Sequence, residues 1–151
     1  MPLPFSISGH VLIAEVLESS VAASRLERAL DSLKAKRVSR TGTEIRFTAG
    51  IFRAVSGMNL LVPIGSGRLS IEPVGMGLSV EYKLSFTQLF LVVSISVLGF
   101  FGPPILSAPN LTPAEAAMLL SIAWLWLYGM NVVLAVNRFP RWIQRSLKGQ
   151  V

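Results

Sequence analysis

From Thr43 to Tyr82 apolar residues fall on alternate positions, whereas from Leu84 to Val136 they follow one another almost without interruption. The alternating part carries Ile45 and Phe47, then Leu60, Val62 and Ile64, then Leu69 and Ile71, then Leu78, Val80 and Tyr82. A period of two marks half-buried strands, so four strands of an antiparallel meander are predicted. Gly65-Ser66-Gly67 is expected to turn the second strand into the third, and Pro73 to Gly77 the third into the fourth. Pro63 places the second strand at an edge or a bulge. Phe5 and Ile7 offer a fifth strand, while His10 to Val16 reads equally as strand or early helical turn.

Before the strands the period changes. Ala22, Leu26, Leu30 and Leu33 recur at helical spacing behind Ser19 or Ser20 as cap, predicting a helix from about Ser19 to Lys36. Lys34, Lys36 and Arg37 would close it, basic groups that complement the negative end of the helix dipole. Residues 1–83 thus read as a small α+β domain, one main helix on a curled four- to five-stranded sheet.

The uninterrupted apolar part is of another kind. Residues 84–114 carry no charged side chain, and after Glu115 residues 116–137 carry none. Leu84 to Phe101 and Pro113 to Val136 are each long enough, as helices rising about 1.5 Å per residue, to cross a hydrocarbon core of about 30 Å. A transmembrane helical hairpin is expected over residues 84–137, its loop spanning 102–112. Gly102-Pro103-Pro104 should end the first helix near Phe101. Thr112-Pro113-Ala114-Glu115 has the form of a capping box, with Thr112 accepting from the backbone of Glu115 and Glu115 reaching back.

Charge then supplies an orientation. The chain has 14 Lys and Arg against 8 acids, but the excess is local: residues 1–83 are net +3, and the tail 138–151 adds Arg138, Arg141, Arg145 and Lys148 without an acid. All the basic residues lie outside the hairpin and none lies in its loop, so the positive-inside rule puts both termini in the cytoplasm. After an expected helix break at Phe139-Pro140, Trp142, Ile143 and Leu147 alternate with the basic residues as a short amphipathic strip lying along the interface. Lys83, Arg138, Arg141, Trp142, Arg145 and Lys148 are the expected interface anchors, meeting anionic lipid headgroups. Met1 to Gly9 lacks a basic cluster followed by an apolar run, so a cleaved signal peptide is not expected. An integral protein of two spans in a membrane of the bacterial cytoplasmic kind fits best.

Amides are costly in lipid unless paired, and two fall at matching depth in an antiparallel hairpin, Gln88 and Asn131. They are expected to hydrogen-bond directly or through water. Trp124 and Trp126 sit near the middle of the second span, where a partner helix would cover one of them.

Little else in the sequence carries chemistry. There is no cysteine and one histidine, His10, which excludes thiol catalysis, disulfides and the familiar zinc spacings. No serine sits in a recognisable triad motif, and Gly65-Ser66-Gly67 and Gly75-Met76-Gly77 lack the lysine and helix start of a phosphate loop. Glu15, Glu18, Glu27 and Asp31 read as solvated charge around a helix. No enzyme activity, cofactor, metal or nucleic-acid partner is expected. The reading is a non-catalytic anchoring, assembly or accessory subunit that meets a protein partner or its own copies. Two alternatives are a module binding a lipid or small amphiphile at the interface, and a homo-oligomeric pore lined by Gln88, Ser96 and Asn131.

Overall fold

A computed structural model of the chain describes residues 5–14, 17–50 and 60–149. Five strands form one antiparallel sheet: β1 (Ser6–Ile13), β2 (Arg37–Thr41), β3 (Glu44–Thr48), β4 (Ser66–Val74) and β5 (Gly77–Ser85), in the order β1-β5-β4-β3-β2. β3, β4 and β5 lie where the alternation predicts strands, β2 lies where none was expected, and β1 is the fifth strand, closing the far edge beside β5. Two-residue loops join β2 to β3 and β4 to β5. Their first residues, Gly42 and Gly75, have positive φ, the conformation such hairpins require and side chains resist.

Two strand expectations fail. Leu60 to Ile64 form a turn, because the buried residues there are Leu61 and Ile64, three apart, while Val62 is exposed. Gly65-Ser66-Gly67 is consequently not a hairpin: Gly65 donates its N–H to Ser85 and accepts from Ala49, and β4 starts at Ser66. Leu69 and Ile71, named for the expected third strand, lie in β4 and face the core as alternation demands.

Helix α1 (Ser19–Ser32) buries Ala22, Ala23, Leu26, Ala29 and Leu30 against the sheet. Its N-cap is Glu18, without a side-chain cap, and Ser20 Oγ instead donates to the Glu18 carboxylate at 2.7 Å. It stops four residues before Lys36, since Lys34 takes φ 58°. Lys34 N–H then reaches Asp31 and Ala35 N–H reaches Leu30, the paired bonds of a Schellman ending usually completed by glycine. Lys34→Gly is expected to stabilise the domain by about 0.5–1 kcal/mol, the cost of a left-handed side-chain residue less the added freedom of the unfolded glycine. A rise in thermal unfolding midpoint would register it; an unchanged or lower midpoint would count against a strained cap.

Two helices are long and apolar enough to cross a membrane: Thr87–Leu106, of 20 residues, and Pro113–Leu147, of 35. Their most apolar windows have mean hydropathies of 2.2 and 1.9, with only 17% and 6% of those windows buried, unlike a helix enclosed in a soluble core. The first follows β5 after the single residue Phe86. It is built from α2 (Thr87–Ser96), a wide π turn (Val97–Phe101) and α3 (Gly102–Leu106). The expected stop near Phe101 is thereby corrected. Gly102 N–H reaches back five residues to Val97, and this wider turn makes room for Pro103 and Pro104, which open the next segment and have no N–H to place.

The second helix, α4 (Pro113–Leu147), begins with a reciprocal cap. Glu115 N–H donates to Thr112 Oγ1 at 3.3 Å, and Thr112 N–H donates to the Glu115 carboxylate at 2.8 Å. It does not break at Phe139-Pro140. Pro140 lies inside it, and Phe139, Ile143 and Leu147, each 0% exposed, recur one turn apart against the sheet. A proline within a helix costs about 3 kcal/mol, whereas burying three such side chains yields about 1.5–3 kcal/mol each, so the helix continues. Phe139 packs between the rings of Phe47 (6.3 Å) and Tyr82 (5.4 Å), with Trp142 at 5.3 Å. α1 and the last turns of α4 together cover one face of the sheet. The apolar strip expected to lie free at an interface is part of the domain core.

Candidate functional site: the open face of the sheet

Because one face is filled, the alternate residues of every strand are left on an open one. The strand register sorts them into rows. Nearest the end that leads into α2 lie Ser6, Ser85, Ser66, Thr48 and Arg37. The next open-face row, about 7 Å further along the strands, is Ser8, Lys83, Arg68, Arg46 and Ser39. Beyond it come His10, Glu81, Ser70, Glu44 and Thr41, then Leu12, Ser79 and Glu72. Thus the two rows next to α2 hold four cations and no acid, while the two remote rows hold three acids and neither Lys nor Arg.

Lys83, Arg68 and Arg46 stand directly opposite one another on adjacent strands, an arrangement that repels. Glu44 relieves part of it from the neighbouring row: its carboxylate accepts from Arg46 Nε and from Arg68 Nη2, the latter at 2.6 Å. The hydrogen bond from Arg46, followed by the charges of Arg46 and Arg68, holds the Glu44 carboxyl below the usual carboxylate range despite some desolvation. Lys83 and Arg37 make no ion pair among the described residues. Arg37, Arg46, Arg68 and Lys83 line a shallow dish of about 530 Å³, floored by hydroxyls of the end row. A second dish, of about 600 Å³, adjoins it beside Glu72, Glu81 and His10. An arrangement of cations beside hydroxyls, open to solvent, can hold an anion.

Of the residues singled out by sequence, Lys83 belongs to this dish. Arg141, Arg145 and Lys148 are exposed on the last turns of α4, and Trp142 is half-buried on Phe139. The end of α4 is tied to α1 by Arg25, which donates to the Leu147 carbonyl. Gln88 and Asn131 form no direct hydrogen bond with each other. Asn131 Nδ2 turns back to the Leu127 carbonyl at 2.7 Å, and the Gln88 side chain packs over Gly65. The polar link between the two long helices runs instead from Trp124 Nε1 to Ser94 Oγ, at 3.0 Å. Trp124 also stacks on Tyr128 at 4.8 Å and meets Phe90 edge-on, while Trp126 points outward, 68% exposed. Among the described residues, no group of three His, Asp or Glu side chains is placed to hold a metal ion.

Sequence reading missed Arg37, Arg46 and Arg68. Each of Arg46, Arg68 and Lys83 is flanked by residues of the opposite face, a signal of outward pointing, but only the register shows that they are neighbours. No family model matches the sequence, and no curated protein matches it.

Proposed function

We propose that this chain is a two-span membrane protein with both termini in the cytoplasm, serving as a non-catalytic anchoring or accessory subunit whose sheet domain is a rigid platform. The observation that carries this reading is the continuity of α4, which runs from its apolar span through Pro140 into the core of the sheet domain. With β5 feeding α2 through one residue, the platform is held to the hairpin at two points and has no flexible tether. The absence of charge from 84–114 and the basic residues on either side of the hairpin support the orientation. Exposed Leu125, Trp126, Val133 and Met130 on the outer side of α4 leave room for a partner helix or a second copy.

Because the chain has no cysteine, single cysteines can report both sides of the membrane. Ser107→Cys, in the loop between the long helices, should be labelled in intact cells by a maleimide that cannot cross the bilayer. Thr41→Cys, at the tip of the β2–β3 hairpin, should be labelled only after lysis. Labelling of Thr41→Cys in intact cells, or recovery of the chain in the soluble fraction, would sink the topology. For the accessory role, a photocrosslinker in place of Trp126 should yield one discrete adduct, with itself or with another chain. Exclusively lipid adducts would contradict it.

A further inference from the structure

The open face of the sheet separates its charges along the strands, with every cation in the half next to α2 and every acid in the half away from it. We infer that the dish of Arg37, Arg46, Arg68 and Lys83 is a binding site for the phosphate headgroup of an anionic phospholipid in the leaflet beside the domain. The inference rests on the proposed membrane placement, and names a ligand that placement alone does not require.

Four features point to this occupant. Lys83 lies four residues before the start of α2, so its row faces the level at which α2 would enter a bilayer. Long basic side chains lay their stems along a surface and extend their charges toward headgroups, which lets them cover the remaining distance. Between the basic row and α2 stand the hydroxyls of Ser66, Ser85 and Thr48, donors suited to phosphate and glycerol oxygens. Lastly, Arg46, Arg68 and Lys83 repel one another and one carboxylate pairs with only two of them. A bound phosphate would relieve that repulsion at its centre, and arginine suits it by its forked donors. A soluble anion or an acidic protein would need no gradient of charge toward α2; a negatively charged surface on that side attracts the near rows and repels the far ones.

The full chain in detergent micelles loaded with equal phosphatidylglycerol and phosphatidylcholine, examined by native mass spectrometry, tests the site. The chain should retain phosphatidylglycerol preferentially, and R46Q/R68Q/K83Q should lower that retention at least about tenfold, as expected when three cations near an anionic surface are lost. R28Q/K34Q, which removes charge from α1 and from the turn that follows it, should leave it within about twofold of the parent. Circular dichroism should show all three proteins equally folded, since the substituted side chains are exposed. The inference is overturned if the triple variant retains phosphatidylglycerol unchanged, or if it loses both lipids equally. Competition by millimolar inorganic phosphate would reassign the dish to a soluble anion, and loss of a co-purifying acidic protein without loss of lipid would reassign it to that partner. These readouts are independent of cysteine labelling, so the site can fail while the two-span placement stands.

Discussion

Ending the chain after Asn137 is expected to unfold the sheet domain while leaving both apolar spans intact. The shortened protein loses Phe139, Ile143 and Leu147, all fully buried between α1 and the sheet, and with them the Arg25 bond to the Leu147 carbonyl. At about 1.5–3 kcal/mol for each buried side chain, the loss is comparable to the whole stability of a small domain, about 5–15 kcal/mol. Limited proteolysis in detergent should then cut within β3 and β4, sites that the full chain protects. Phe139→Ala offers a graded version, with an expected cost of about 3–5 kcal/mol from the lost ring and the cavity between Phe47 and Tyr82. Were residues 138–151 merely a strip resting on lipid, neither change would alter protection of the strands.

The second large effect is expected at Gly67, in β4. A Cβ there would lie 2.3 Å from Cζ and 2.5 Å from Cε1 of Phe47, so that ring occupies the space a side chain would need. Phe47 is 1% exposed and leans on Phe139, leaving it little room to retreat. Gly67→Val should therefore cost about 3 kcal/mol through overpacking. Shrinking the ring in the same molecule, as Gly67→Val with Phe47→Leu, should cost at least about 1 kcal/mol less than the two single changes summed, because the pair shares one contact. Strict additivity in denaturant titrations would show that the strain lies elsewhere.

How far the sequence could be read depended on whether burial left a periodic trace. α1, β3, β5 and the two apolar helices alternate or repeat clearly and form about where expected, although α1 stops early and both apolar helices run on past their expected ends. β2 left no such trace: it is an exposed edge strand whose Val38 is its sole partly covered apolar residue, and charges at Arg37 and Arg40 suit an edge kept from pairing with other chains. The overlong reading of α1 has a different origin, since Leu33 fits the helical repeat and nothing in a lysine announces a left-handed turn. The error at Phe139-Pro140 is the most instructive. Trp142, Ile143 and Leu147 form an apolar stripe in either setting, and a stripe specifies a dry neighbour without saying whether it is lipid or a sheet. The proline tipped the reading toward a break that core packing overrides.

For the candidate site the limit was register. Alternation alone sends Arg46, Arg68 and Lys83 to the polar side of their strands, yet a slip of one pair would separate them. The two-residue loop at Gly75-Met76 fixes the pairing of β4 with β5 and so sets Lys83 beside Arg68, but Arg46 reaches Arg68 through the pairing of β3 with β4, which no short loop dictates. Gln88 and Asn131 illustrate the converse problem. Asparagine on a helix has a carbonyl of its own preceding turn within reach, and Asn131 bonds that local acceptor rather than the amide across the hairpin.

The placement of Phe139, Ile143 and Leu147 also bears on the order in which the molecule can be made. A ribosome releases the strands first, the paired helices next and these three side chains only afterwards. Until then the greasy side of the nascent sheet has only α1 for a lid, so the newborn head waits, half-finished and vulnerable to clumping, for the hairpin to be delivered and the closing turns to arrive.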